Sequence, residues 1–306
     1  MRDLPMEVTE EVADAISSGT PVVALESSII AQGLPQPENI VTAVAAEGEI
    51  RNQGAIPATI AIIDGVIRIG LNPDEIEMLG SGIELPKAGR AELPLILTAG
   101  ITAATSVSAT MICSNLAGIR VFATGGIGGV HRNVVETYDI SQDLLEFCHT
   151  QIIVVASGAK AVLDLRKTYE MLETLGVSVL AYELRELPAF WSRCSGIRSS
   201  IVVDDPVDFA NSLAMRRQLG MGGGILAANP IPEESEIPLS QVEAWIDEAL
   251  KQASLEDITG KHVTPYLLSC LAELSEGETV RANMSLVHNN AKLAAQIATC
   301  FGKLDQ

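Results

Sequence analysis

Glu26 directly follows an apolar run, in VVALESSII. A carboxyl at the end of a buried strand is partly desolvated, which suits it to proton donation; equally, it could cap the turn that follows. Lys160 stands in IIVVASGAKAVLDL, after a second apolar run and a Ser-Gly turn. The spacing predicts a lysine in the first turn of the next helix, where the positive end of the dipole disfavours a cation. A neutral amine is what Schiff-base chemistry requires. A lysine that grips phosphate, or one that reaches to solvent, is the plainer alternative.

Two further stretches carry polar groups at the ends of apolar runs. In ATGGIGGVHR, two glycine pairs would let backbone N–H groups approach an anion closely, and His131 and Arg132 add donors. The pattern is neither GxxxxGK[ST] nor GxGxxG, and a sharp strand-to-helix turn needs glycine too. In ETYDISQDL, Asp139 and Asp143 flank a helix start that Ser141 could cap. Asp139 could hold a hard divalent ion largely through water, or the cluster could do no more than cap the helix. Lys87 falls in a loop, ELPKAGRAELP. The four histidines (His131, His149, His262, His288) show no paired spacing for zinc. Asn283, His288, Asn289 and Asn290 crowd one helix despite the poor helix propensity of Asn; hydrogen bonds to solvent or neighbouring helices account for most of them.

The elements that must position these groups alternate. Apolar runs predict strands at 21–25, 57–63, 66–69, 93–98, 119–123, 152–156, 177–181 and 225–228. Most are unbroken, as strands covered on both faces require, and Asp64-Gly65 is a hairpin signal. Helical patterns cover 7–17, 39–52, 73–79, 104–116, 161–175, 206–218, 239–252 and 280–300, with Asp205 and Pro206 a strong start signal. The expectation is an α/β fold: a three-layer α/β/α body with a mixed, mostly parallel central sheet and a helical C-terminal region, 1–306 as one domain. Ligands in such sheets bind at the strand ends, where Glu26 and Lys160 stand.

Composition excludes several functions. Lys and Arg number 20 against 39 Asp and Glu, a net charge of −19, which repels nucleic acids and anionic lipid surfaces. Hydrophobic residues at 47 % supply a full core. Five scattered cysteines without a CxxC pair fit a reduced, cytoplasmic protein, and the acidic N-terminus does not read as a secretory signal. The uncharged stretch 93–119 is long enough to span a bilayer, but its Pro, Gly, Ser and Thr content argues for a buried βα unit instead.

Taken together, PVVALESSII, GAIPATIAII, TAGITAATSVSATM, GIRVFATGGIGGVHR, DISQDL, GAKAVLDL, LPAFW, NPIPE and NNAKLAAQIA closely resemble the pseudouridine-5′-phosphate glycosidase family, over roughly residues 22–304. The resemblance implies reversible conversion of pseudouridine 5′-phosphate and water into uracil and ribose 5-phosphate. It also implies ribose ring opening and an imine at C1′. By motif, Lys160 matches the imine-forming lysine and Glu26 the acid that protonates the ring oxygen. Lys87 and Val107 match substrate-contacting positions, as do Ser141, Gln142 and Asp143; Asp139 matches the ligand to a divalent ion, typically Mn2+. No organic cofactor is implied, and the family is commonly a homotrimer. Lys87, His131, Thr124 and Ser141 are expected to bind the 5′-phosphate. Gln142 stands where relatives often have Ala. The alternatives are a Schiff-base lyase or aldolase acting on another sugar phosphate, and a non-catalytic phospho-sugar sensor.

Overall fold

The computed structural model describes residues 4–256, 258 and 263–304. His262 lies outside the described residues. The chain opens with strand β1 (Met6–Val8), helix α1 (Glu10–Ser18) and strand β2 (Val22–Glu26), followed by one turn of π-helix at Ile29–Gly33. Helix α2 (Glu38–Asn52) leads to a hairpin of β3 (Ile56–Ile63) and β4 (Val66–Ile69), then α3 (Pro73–Gly80). Next come β5 (Lys87–Ala88), α4 (Leu93–Ala99), β6 (Ala103–Thr105), α5 (Val107–Leu116), β7 (Val121–Ala123), α6 (Val134–Thr137) and α7 (Gln142–His149). The second half holds β8 (Ile153–Ala156), α8 (Leu165–Thr174), β9 (Ser178–Tyr182), β10 (Val202–Val203), α9 (Pro206–Gln218) and β11 (Ile225–Ala228). Three helices end the chain: α10 (Leu239–Leu255), α11 (Val263–Leu274) and α12 (Glu278–Leu304).

These strands form an 11-stranded mixed sheet ordered β1-β4-β3-β2-β7-β8-β11-β9-β10, with β6 attached to β3 and β5 to β6. Only β4 and β6 run antiparallel to β3; every other pairing is parallel. Strands β2, β8 and β11 are buried along their whole length, which is why each is a continuous apolar run. Asp64 (φ 50°) and Gly65 (φ 74°) turn the β3–β4 hairpin, and Leu97 and Gly100 leave no room there for a Cβ on residue 65. Helix α12 lies over β2, β7 and β8 with α2 and α9 alongside; α5 packs on β2, β3 and β7, with α7 against it. The α/β fold with a helical C-terminal region is thus as expected.

Several boundaries differ, each for a physical reason. The apolar run 93–98 is a helix, α4, not a strand: Pro94 sits in its first turn, Gly100 caps it in the left-handed conformation, and Leu95 is 69 % exposed. Residues 103–105 form a strand, and the helix that follows starts after Ser106, whose side chain accepts from the Ala109 N–H. Met6–Val8 pairs with β4, so the first helix begins only at Glu10. The helix expected from residue 161 starts at Leu165, because Asp164 caps it by accepting from the Lys167 N–H. Lys160 is therefore five residues ahead of that helix, and its dipole does not account for the lysine's chemistry.

Candidate active site

The parallel strands β2, β7, β8 and β11 end side by side: Glu26 is the last residue of β2 with Ser27 after it, and Thr124, Ser157 and Asn229 follow the other three. Glu26 is 6 % exposed; its two carboxylate oxygens accept from the hydroxyls of Ser28 and Thr124. Lys87 reaches the same place from an unexpected element. It lies on β5, which pairs with β6, and β6 extends beyond the end of β2 along β3. Ser27 and Thr105 tie the two segments together: the Ser27 Oγ accepts from the Thr105 N–H at 2.9 Å, and the hydroxyls lie 3.2 Å apart. Lys87 is exposed and lies within electrostatic reach of Lys160, Glu26 and Asp143.

The proton affinity of Lys87 reports its neighbours. Lys160 pushes its pKa below the ordinary lysine value, burial adds to the effect, and Glu26 and Asp143 oppose it. Two amines and two carboxylates thus share one electrostatic neighbourhood. Lys160 is held there by backbone: its N–H donates to the Ile127 carbonyl, and the Ile127 N–H donates to the Gly158 carbonyl. The glycine loop and the lysine loop are laced together.

The glycine loop is not the open anion cradle that its composition suggests. Its first pair makes room for side chains: a Cβ on Gly126 would lie 2.6 Å from the Phe190 ring, and one on Gly125 would lie 3.2 Å from Leu286. Gly128 and Gly129 face Ser141 with Asp143, and Thr168. The Gly128 N–H donates to Asp143 Oδ2 at 2.8 Å, so the anion the loop holds is the protein's own. Asp143 Oδ1 accepts from the Ser108 N–H at 2.9 Å, at the start of α5 next to Val107, which is buried. Arg132 points elsewhere: it makes a two-pronged ion pair with Glu243 of α10 and donates to the Ala161 carbonyl at 3.2 Å.

The remaining expected residues divide. Ser141 caps α7, its Oγ accepting from the Asp143 N–H at 3.2 Å. Gln142 accepts from the Ala91 N–H at 2.7 Å and donates to Glu92, so it braces the turn that follows Lys87. His131 lies 3.7 Å from the Asp139 carboxylate; burial lowers its pKa and Asp139 opposes the shift. Among the described residues no group of three or more His, Cys, Asp and Glu side chains could hold a metal ion. The half-exposed Asp139 carboxylate and the His131 imidazole offer two donors, which fits a hard divalent ion that keeps most of its water. Ser28, Ser157, Asn229 and Asn290 complete the site and were not singled out as site residues. The sequence offers two signals, an Asn in mid-helix and Asn229 directly after an apolar run.

Comparison with known proteins places the chain in a family. Residues 11–300 match the indigoidine synthase A-like protein family. The chain is 50 % identical over 299 residues to a pseudouridine-5′-phosphate glycosidase of Caldanaerobacter subterraneus, covering 98 % of this chain and 97 % of that one. It is 47 % identical over 300 residues to the protein of that name from Escherichia coli K12, covering 98 % and 96 %. The fold is shared with the prealnumycin C-glycosynthase AlnA, solved in complex with ribulose 5-phosphate (TM-score 0.92, 38 % identity, 100 % of this chain and 99 % of that one). It is shared too with an indigoidine synthase A-like protein of Thermotoga maritima (TM-score 0.89, 34 % identity, 100 % and 98 %).

Proposed function

As the chain belongs to the indigoidine synthase A-like family, we propose that it is a pseudouridine-5′-phosphate glycosidase, which converts pseudouridine 5′-phosphate and water reversibly into uracil and ribose 5-phosphate. The observation that carries the chemistry is the shared neighbourhood of Lys87, Lys160, Glu26 and Asp143. The bond to be broken joins two carbons, so the uracil would have to leave as a carbanion unless electrons are drawn elsewhere. Glu26 protonates the ribose ring oxygen as its bond to C1′ breaks, and the pyrimidine ring supplies the electrons. The Lys160 amine then adds to C1′. Protonation of uracil at C5, cleavage of the C1′–C5 bond and formation of the iminium at C1′ complete the expulsion. Water hydrolyses the iminium, releases ribose 5-phosphate and restores the amine.

Lys87, His131 and Ser141 hold the 5′-phosphate in this reading. Thr124 and Ser28, whose hydroxyls sit on Glu26, orient the acid. Asp143 and Gln142 act mainly by bracing the glycine loop and the turn after Lys87. Asp139 with His131 would hold Mn2+, which supplies positive charge against a phosphate dianion. The five cysteines are all unpaired, which supports a cytoplasmic enzyme; no described helix is long and apolar enough to cross a membrane. The assembly we propose is a homotrimer.

The test is borohydride reduction in the presence of ribose 5-phosphate, followed by peptide mass mapping. A pentitol phosphate adduct on Lys160, absent from Lys160→Ala, is expected together with uracil release from pseudouridine 5′-phosphate. Equal turnover of uridine 5′-phosphate, or an adduct on another residue, would overturn the assignment.

A further inference from the structure

One group outside the catalytic set touches both of its arms. Asn290 lies in the middle of α12 and is fully buried. Its amide nitrogen donates to the Thr124 carbonyl at 2.8 Å, to the Gly125 carbonyl at 3.3 Å and to the Ser157 Oγ at 3.2 Å. Its oxygen accepts from the Asn229 amide at 2.9 Å and from the Ser157 hydroxyl at 3.4 Å. The side chain is therefore saturated by groups at the ends of β7, β8 and β11, where the site is built.

The contacts on β7 and β8 lead to reacting side chains. Thr124, gripped through its carbonyl, turns its own hydroxyl onto Glu26. Ser157 starts the four-residue segment that ends at Lys160, and its N–H donates to the same Gly125 carbonyl that Asn290 holds. A residue serving only to join a helix to a sheet would not need the full set of hydrogen bonds to the strand ends that Asn290 makes. Apolar contacts already do that work along α12, through Leu286, Leu293 and Ile297.

We propose that Asn290 is a positioning residue that sets Glu26 and Lys160 relative to each other, acting through Thr124 and Ser157. This inference rests on the function proposed above. A buried amide with four partner residues admits one arrangement of the strand ends, so removing it loosens both arms at once.

The experiment is a double-mutant cycle on uracil release from pseudouridine 5′-phosphate, using Asn290→Ser, Thr124→Val and the pair. Each single variant is expected to lower kcat about 10- to 100-fold with KM within threefold, the effect of misplacing reacting groups without losing substrate contacts. The pair is expected to be no worse than about threefold below the slower single variant, because both remove the same alignment. Multiplicative losses, or a loss carried by KM alone, would overturn the proposal. Inactive wild-type protein would instead overturn the proposed function. A crystal structure of Asn290→Ser tests the positioning without any assay: the Thr124 hydroxyl should leave Glu26, and an unchanged Thr124–Glu26 contact refutes the idea.

Discussion

Lys160 stands close enough to Lys87 to disfavour the charge on it, and Glu26 and Asp143 oppose that effect. In the folded protein Lys87 binds its proton less tightly than in the unfolded chain, where its pKa is near 10.5. The unfolded state therefore holds more protons between the two values, and stability rises with pH across that window. Below it, the charged amine destabilises the fold. Lys87→Gln should raise the melting temperature at pH 7, with a gain that shrinks as pH climbs toward 10.5. It should also raise KM for the phosphorylated substrate about 10- to 100-fold, the loss of one charge-assisted contact. Thermal unfolding across pH, beside steady-state kinetics, checks both. Asp139 supports a separate expectation. Added Mn2+ should broaden the His131 imidazole resonances in the wild-type protein and leave them sharp in Asp139→Asn.

At the scale of elements, the glycine loop decides how tightly the site is assembled. Gly126 is glycine because the Phe190 ring, held at φ 63°, occupies the place of its Cβ. Gly126→Ala should destabilise the protein by about 1–3 kcal/mol, the usual effect of overpacking. Phe190→Leu in the same chain should restore part of that loss, measured as the midpoint of denaturant unfolding. An Ala variant as stable as wild type would mean that the aromatic ring does not dictate the glycine. The same loop explains why Asp143 is buried: its carboxylate joins the start of α5 to Gly128, two segments that carry no charge of their own.

For the whole molecule, the C-terminal helix is part of the core and not an appendage. Leu286, Ala291, Leu293, Ala294 and Ile297 are all buried against the sheet or its neighbouring helices. Each large aliphatic side chain contributes about 1.5–3 kcal/mol on burial, and net stabilities run to about 5–15 kcal/mol. Ending the chain before Glu278 should therefore abolish cooperative unfolding in calorimetry, beyond any loss of activity. A truncated chain that still melts cooperatively would show the sheet to be self-sufficient.

The amino-acid sequence alone determined the alternating α/β order, the mixed sheet, the helical C-terminal region and the catalytic candidates Glu26 and Lys160. Continuous apolar runs, cap residues and hairpin turns are local signals, read within a few neighbouring positions. It misplaced 93–98, where an apolar run packs on one side only, and it put Lys160 in a helix that begins later, at the Asp164 cap. Only the tertiary structure decided that Lys87 joins Glu26 and Lys160 from a two-residue strand, that the glycine loop holds Asp143, and that Asn290 joins three strand ends from a distant helix. Those pairings span from 15 to 166 positions along the chain, and no local preference encodes which distant partner a buried polar group will meet.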